Sequence, residues 1–175
     1  MRQMKQPGPV QSPRILTELC EQTRDVFITL PAGADLLNGL RDAVLSLGGK
    51  GAGITLLGGR IDRLHYFTGM PDPSGRRLAT YGDPTPLEGP IELLSGNAIV
   101  GQDAEGRPLV HGHAVMAELS GKVHGGHLPP GECPVGAGGV RALAVLHDGA
   151  VFAVREDRET NYSIFHPDRV TEAAE

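Results

Sequence analysis

The chain has 175 residues, of which 25 are Gly and 14 are Pro, well above the ordinary combined share of about 12%. Hydrophobic content of 39% and charged content of 21% exclude a disordered chain, and the lack of a three-residue glycine period excludes collagen. A net charge of −5 with four Phe, three Tyr and no Trp argues against a basic nucleic-acid footprint and against a base-stacking platform.

Residues 1–14 are polar and proline-rich and are expected to form a flexible arm, followed by a single domain over 15–170 and a frayed tail at 171–175. Asp25 to Leu30 reads as a first strand. Asp35 then caps an amphipathic helix with apolar residues at Leu36, Leu37, Leu40, Ala43, Val44 and Leu47, the one-sided spacing of a helix packed on a core. Gly48 and Gly49 stop it. Ala52 to Leu57 is a buried strand expected to end at Gly58-Gly59, and Leu64 to Thr68 is another. Met70 to Arg77 reads as a loop, with a strand over Leu78 to Tyr81 and breaks at Pro84 and Pro86. Ile91 to Val100 is a long strand with Gly96 as its expected bulge.

Leu109 to Leu119 and Val123 to Leu128 form a hairpin around Ser120-Gly121. Gly131 to Gly139 is a glycine-rich loop. Val140 to Leu146 and Ala150 to Val154 are expected to form a second hairpin across Asp148-Gly149. The remainder, from Arg155, is mixed in polarity, and the segment from His147 onward is acidic. About seven strands and one long helix, in an order that does not alternate, make an α+β fold on a mainly antiparallel sheet.

Cys20 and Cys133 are far apart and form no CxxC, the usage of reduced cytosolic thiols. No apolar run approaches membrane-spanning length, so a soluble, cytoplasmic protein with no membrane partner is expected.

Four of the seven histidines lie between His111 and His127. On a strand, His111 and His113 share a face about 6–7 Å apart, close enough for two imidazoles to converge on one metal. If the turn is centred at residue 120, His127 falls opposite His113 and joins them, because facing residues of an antiparallel pair share a side. Three histidines and an open position form the donor set of a catalytic-type zinc site, with another divalent metal as the alternative. His124 is an odd step from His127 and should face away. Gly112, Gly125 and Gly126 leave room for close approach. His65, His147 and His166 read as ordinary structural histidines.

A general acid or base is also required. Glu92 and Glu88 are the candidates, with Glu118 weaker because it should face away from His113. Arg60, Arg63 and Arg141 are candidates for binding a substrate carboxylate.

The segments Glu88-Gly-Pro-Ile-Glu-Leu-Leu-Ser-Gly-Asn97, Gly106-Arg-Pro-Leu-Val-His-Gly-His113 and Gly121-Lys-Val-His-Gly-Gly-His-Leu128 resemble the PPC (plants and prokaryotes conserved) domain. The resemblance spans about Asp25 to Leu146 and points to a bacterial branch. It implies an antiparallel sheet fold and a homotrimer. Plant members carry an AT-hook with an Arg-Gly-Arg-Pro core. Here Gly106-Arg107-Pro108 is only a fragment, preceded by Glu105. The same fold group includes acetolactate decarboxylase and a zinc-dependent ester hydrolase, which are similar in drawing zinc ligands from an HxH strand and a third histidine. Two functions follow as expectations. One is a zinc-dependent decarboxylase-type lyase or hydrolase acting on a small carboxylate or carbonyl compound. The other is a non-catalytic trimeric module for DNA or a partner protein, with the net charge weighing against DNA.

Overall fold

The computed structural model describes residues 5–170; residues 1–4 of the expected arm and the expected tail at 171–175 lie outside it. The elements are β1 (Gln22–Leu30), α1 (Leu36–Ser46), β2 (Ala52–Tyr66), β3 (Gly69–Pro71), β4 (Ala79–Tyr81), β5 (Thr85–Gln102), β6 (Pro108–Glu118), β7 (Val123–Leu128), β8 (Val135–Asp148), β9 (Ala150–Asp157) and β10 (Tyr162–Arg169). The main sheet runs β1-β8-β2-β5-β6-β7, with β9 joined to β5 and β10 to β9. Every pairing is antiparallel except the single parallel contact of β5 with β9 at Gln102 and Ala153. β3 and β4 form a separate two-stranded sheet.

Helix α1 packs on one face of the main sheet through Leu36, Leu37, Leu40 and Val44, all fully buried. Beneath it lie Ile54 and Leu56 of β2, Ala98 and Val100 of β5, Val110 and Ala114 of β6, and Ala142 and Ala144 of β8. Each large aliphatic side chain buried here contributes about 1.5–3 kcal/mol. Asp35 caps the helix as expected, accepting a hydrogen bond from the Asn38 amide at 2.9 Å. Its carboxylate also accepts from the Gly131 and Cys133 amides at 3.0 Å, tying the 131–133 segment to the helix start.

The helix has 11 residues, or three turns, and so is short where a long one is expected. β2 continues through Gly58-Gly59 instead of stopping, with register shifts at that point against β8. β5 starts at Thr85 and passes through Pro86 and Pro90. That end of β5 pairs only with β2, because its ladder with β6 begins at Ile91, and a strand with one free edge tolerates residues lacking an N–H. The bulge in β5 lies between Leu93 and Ser95 rather than at Gly96. Part of the expected 70–77 loop is the β3 strand.

The expected hairpin across Asp148-Gly149 does not form. β8 already carries β1 on one edge and β2 on the other, so β9 has no edge there to pair with and instead forms a ribbon with β10.

Among the described residues no helix covers the sheet face away from α1. One cross-strand row on this face runs Phe27, Leu143, Thr55, Asn97, His113 and His127 from β1 to β7. Among the described residues no helix is long and apolar enough to cross a membrane.

Candidate metal centre

The β6–β7 turn closes through hydrogen bonds from the Gly121 amide to the Glu118 carbonyl (2.9 Å) and from the Glu118 amide to the Lys122 carbonyl (3.0 Å). That turn sets the register, and His113 stands directly across from His127. His111 is two residues along β6 on the same face. The ring centroids lie 4.8 Å apart for His111 and His113, 4.5 Å for His111 and His127, and 5.5 Å for His113 and His127. One donor atom from each ring falls within 4.8 Å of the other two.

Nδ1 of His127 is buried and has no hydrogen-bond partner among the described residues. Buried polar atoms are nearly always satisfied, so a nitrogen left this way stands out in the described residues. Burial, reinforced by the neighbouring His111 and His113, pushes the His127 pKa down to about 4. Burial also lowers His111 and His113. All three rings are therefore neutral at pH 7, the form that donates a lone pair to a metal. Three imidazoles suit zinc, copper, nickel or iron rather than magnesium or calcium.

His124 points to the opposite face, as its odd step from His127 requires. It is buried, with Nδ1 3.0 Å from the Tyr66 hydroxyl and Nε2 2.6 Å from Glu118. Glu118 is thus occupied by His124. Behind the site, the Phe67 and His127 backbones exchange two hydrogen bonds of 2.9 Å each. Gly126 permits this approach: a Cβ there would lie 2.4 Å from the Phe67 carbonyl oxygen. Gly112 serves the helix side, where a Cβ would lie 2.7 Å from Leu37.

Glu88 and Glu92 are exposed on β5 and are not brought to the histidines within this chain. Glu88 lines a cavity of about 480 Å³ with Arg63, His65 and Glu132. Glu92 lines another of about 400 Å³ with Arg60 and Arg141. Glu92 is five positions along β5 from Asn97, the partner of His113, or roughly 16 Å at the strand rise. His65 pairs with Glu132 at 3.1 Å. Cys133 is buried, and burial pushes its thiol up to about 12.

The side chains that do surround the trio are aromatic. Tyr81 of β4 stacks on His127 at 4.9 Å and 19°, Phe67 lies 6.3 Å from His127, and Phe165 of β10 meets His111 edge-on at 6.3 Å. Periodicity did not reveal Tyr81 because β4 is three residues long. Phe165 lies in a segment of mixed polarity whose alternation is too weak to mark it.

The chain shares its fold with solved structures of low sequence identity. A plant- and prokaryote-conserved (PPC) protein from Pyrococcus horikoshii superposes with a TM-score of 0.69 at 21% identity, covering 89% of this chain and 100% of that one. A protein from Ralstonia eutropha JMP134 named "Putative DNA-binding protein" gives 0.63 at 19%, covering 79% and 88%. A metal-containing protein from Archaeoglobus fulgidus gives 0.62 at 18%, covering 87% and 98%. No curated protein matches the chain. A family model matches residues 18–142, the three-histidine hairpin included, and by that match the chain belongs to the Plants and Prokaryotes Conserved (PCC) domain family.

Proposed function

We propose that His111, His113 and His127 hold a zinc ion, or another divalent transition metal, and that the chain is a metal-dependent lyase or hydrolase acting on a small carboxylate or carbonyl compound. The observation that carries this reading is the unpartnered, buried Nδ1 of His127 beside two further neutral imidazoles. The metal-containing Archaeoglobus protein of the same fold is in keeping with it. When bound at such a site, zinc supplies Lewis acidity and lowers the pKa of a ligated water toward about 7. The three histidines orient the site from two paired strands, and Tyr81 shields one side of it from water. Glu88 and Glu92 line separate cavities of their own chain, so as general acid or base they would act at the histidines only across a subunit contact.

A homotrimer would supply such contacts. Its support is the open sheet face, where Phe27, Leu57, Leu94, Val115 and Val123 are all exposed, a grouping of apolar residues that marks an interaction surface. The test of function is metal analysis of the purified protein, with about one zinc, iron or nickel per chain expected. Metal-free protein that takes up none of these ions would overturn it.

A second reading, a non-catalytic trimeric module for DNA or a partner protein in the cytoplasm, draws on the name of the Ralstonia protein. The net charge of −5 weighs against DNA, and Arg107 of the Gly-Arg-Pro fragment is held by Asp103 at 2.7 Å and Glu105 at 2.9 Å. Tight, salt-dependent binding of random duplex DNA at physiological ionic strength, unchanged by His113→Ala, would favour it over the enzyme.

A further inference from the structure

The main sheet splits where β2 parts from β8. Their ladder ends at Ile61 and Val135. After one more bond, from the Asp62 amide to the Pro134 carbonyl at 3.0 Å, the 131–134 segment crosses to the helix start. There the Leu36 amide donates to the Cys133 carbonyl at 2.9 Å. The Asp35 carboxylate accepts from the Gly131 and Cys133 amides, one on either side of Glu132. β2 meanwhile runs on with β5 as far as Tyr66 and Thr85. The gap left between them is the cavity of about 480 Å³ that Arg63, His65, Glu88 and Glu132 line, a size within the range of about 300–1,000 Å³ usual for small-molecule sites.

Arg63 and Glu88 are direct cross-strand partners, so their Cβ atoms stand about 4.5–5.5 Å apart on one face. His65 follows Arg63 by two residues on that face. Opposite charges placed this way can close on each other, yet among the described residues neither Arg63 nor Glu88 forms an ion pair. The other charged groups of the cavity are committed. Asp35 serves three backbone amides. Glu132 lies 3.1 Å from Nδ1 of His65; a carboxylate only accepts, so Nδ1–H donates to it, and Nε2 of the neutral ring keeps its lone pair. One guanidinium and one carboxylate are left side by side without partners.

We propose that this cavity is a second binding site, separate from the histidines, and that it takes a small zwitterion of the α-amino acid type, with its carboxylate on Arg63 and its ammonium on Glu88. A simple anion would meet the carboxylates of Glu88 and Glu132, and a simple cation would meet Arg63. A molecule that carries both charges one carbon apart satisfies both groups at once. The planar fork of Arg63 holds the carboxylate through two hydrogen bonds, and Nε2 of His65 supplies a second acceptor for the ammonium. None of His111, His113 and His127 lines the cavity, so the inference is independent of the metal reading.

Isothermal titration calorimetry of the full chain tests it, with L-alanine, L-leucine and L-lysine as probes. N-acetyl-L-leucine, which lacks the ammonium, and L-leucinamide, which lacks the carboxylate, are the controls. Each is titrated into zinc-loaded protein and into metal-free protein dialysed clear of chelator. At least one of the three amino acids should bind saturably and alike in both states, and the two controls should bind at least about tenfold more weakly than leucine. Arg63→Ala and Glu88→Gln should each weaken binding by roughly tenfold or more, while zinc uptake by Arg63→Ala stays at the wild-type level. Backbone amide resonances of Arg63, His65 and Glu132 should move during the titration. Failure of all three amino acids to bind at millimolar concentration, controls that bind as well as leucine, or unchanged affinity in folded Arg63→Ala and Glu88→Gln would each overturn the proposal. Binding that disappears with the metal or in His113→Ala would also overturn it, by placing the ligand at the histidines. Wild-type protein that takes up no metal but binds an amino acid through Arg63 would defeat the metal reading and leave this one standing.

Discussion

The Tyr66 hydroxyl lies 3.0 Å from Nδ1 of His124, and Glu118 lies 2.6 Å from Nε2 of the same ring. A carboxylate only accepts hydrogen bonds, so Nε2–H donates to Glu118, and Nδ1 is left to pair with the Tyr66 hydroxyl. The chain ties the end of β2 to β7 on the helix side of the sheet, three residues from His127. Replacing His124 with Ala leaves a phenol and a carboxylate without their partner and is expected to cost about 2–4 kcal/mol, against about 1 kcal/mol for Tyr66→Phe. Urea denaturation measures both. Because the same tie positions the His127 strand, zinc affinity should fall about tenfold or more in His124→Ala.

Removing any one of His111, His113 or His127 leaves two ligands, too few for the proposed site. Wild-type protein with zinc at about a hundred times Kd should gain about 2.7 kcal/mol of stability over the chelated form. Each single Ala variant should lose that gain. Thermal melts with and without EDTA report it, and a zinc-induced shift that survives in all three variants would place the metal elsewhere.

The histidine hairpin was legible because its register follows from one short turn: a centre at residue 120 puts 113 against 127, and the ladder has that pairing. The failed hairpin at Asp148-Gly149 has equally good turn chemistry, with Gly149 at φ 80°. Turn residues report a local reversal, but which edges of β8 are free depends on β1 and β2, both remote from β8 in sequence. Tyr81 escaped for a related reason. β3 and β4 are too short for an alternating pattern, and their placement depends on a β9–β10 turn that only the folded chain brings near. Glu88 and Glu92 stood in segments resembling the family, which located their strand and not the direction of their side chains.

The depressed histidines make metal-free protein sensitive to acid in a defined window. In the unfolded chain a histidine titrates near 6.5, whereas His127 in the folded chain is held at about 4. Between these values the unfolded state binds a proton that the folded state refuses, so stability rises with pH across the window and is lost as pH falls from about 6.5 to about 4. His111 and His113 are shifted in the same direction by burial. Urea midpoints in EDTA should therefore drop more steeply over this range for wild type than for His127→Gln, and parallel curves would contradict the buried neutral state.

Gly126 tests how closely the site depends on its backing strand. A Cβ at this position would meet the Phe67 carbonyl oxygen at 2.4 Å and the Tyr66 ring at 2.8 Å, and the carbonyl cannot turn aside because it accepts the His127 amide. Gly126→Ala should cost about 1–3 kcal/mol by overpacking and weaken metal binding, whereas Gly125→Ala, whose nearest neighbour would be at 3.3 Å, should be milder on both measures.

Phe27 is 81% exposed on β1, at the far end of the cross-strand row that begins at His127. A single exposed apolar side chain is ordinary, but Leu57, Leu94, Val115 and Val123 share its face, and burying such a face against copies of the chain would remove all of them from water. If that face carries the proposed homotrimer, light scattering should give wild type three times the 18.5 kDa chain mass. Phe27→Asp should then shift the protein toward the mass of one chain, since a carboxylate forced into an apolar contact is strongly disfavoured. Its far-UV circular dichroism should stay unchanged, because Phe27 packs on nothing within its own core. A wild-type protein that is monomeric at micromolar concentration would rule the trimer out, and a trimer indifferent to Phe27→Asp would move the interface to another face.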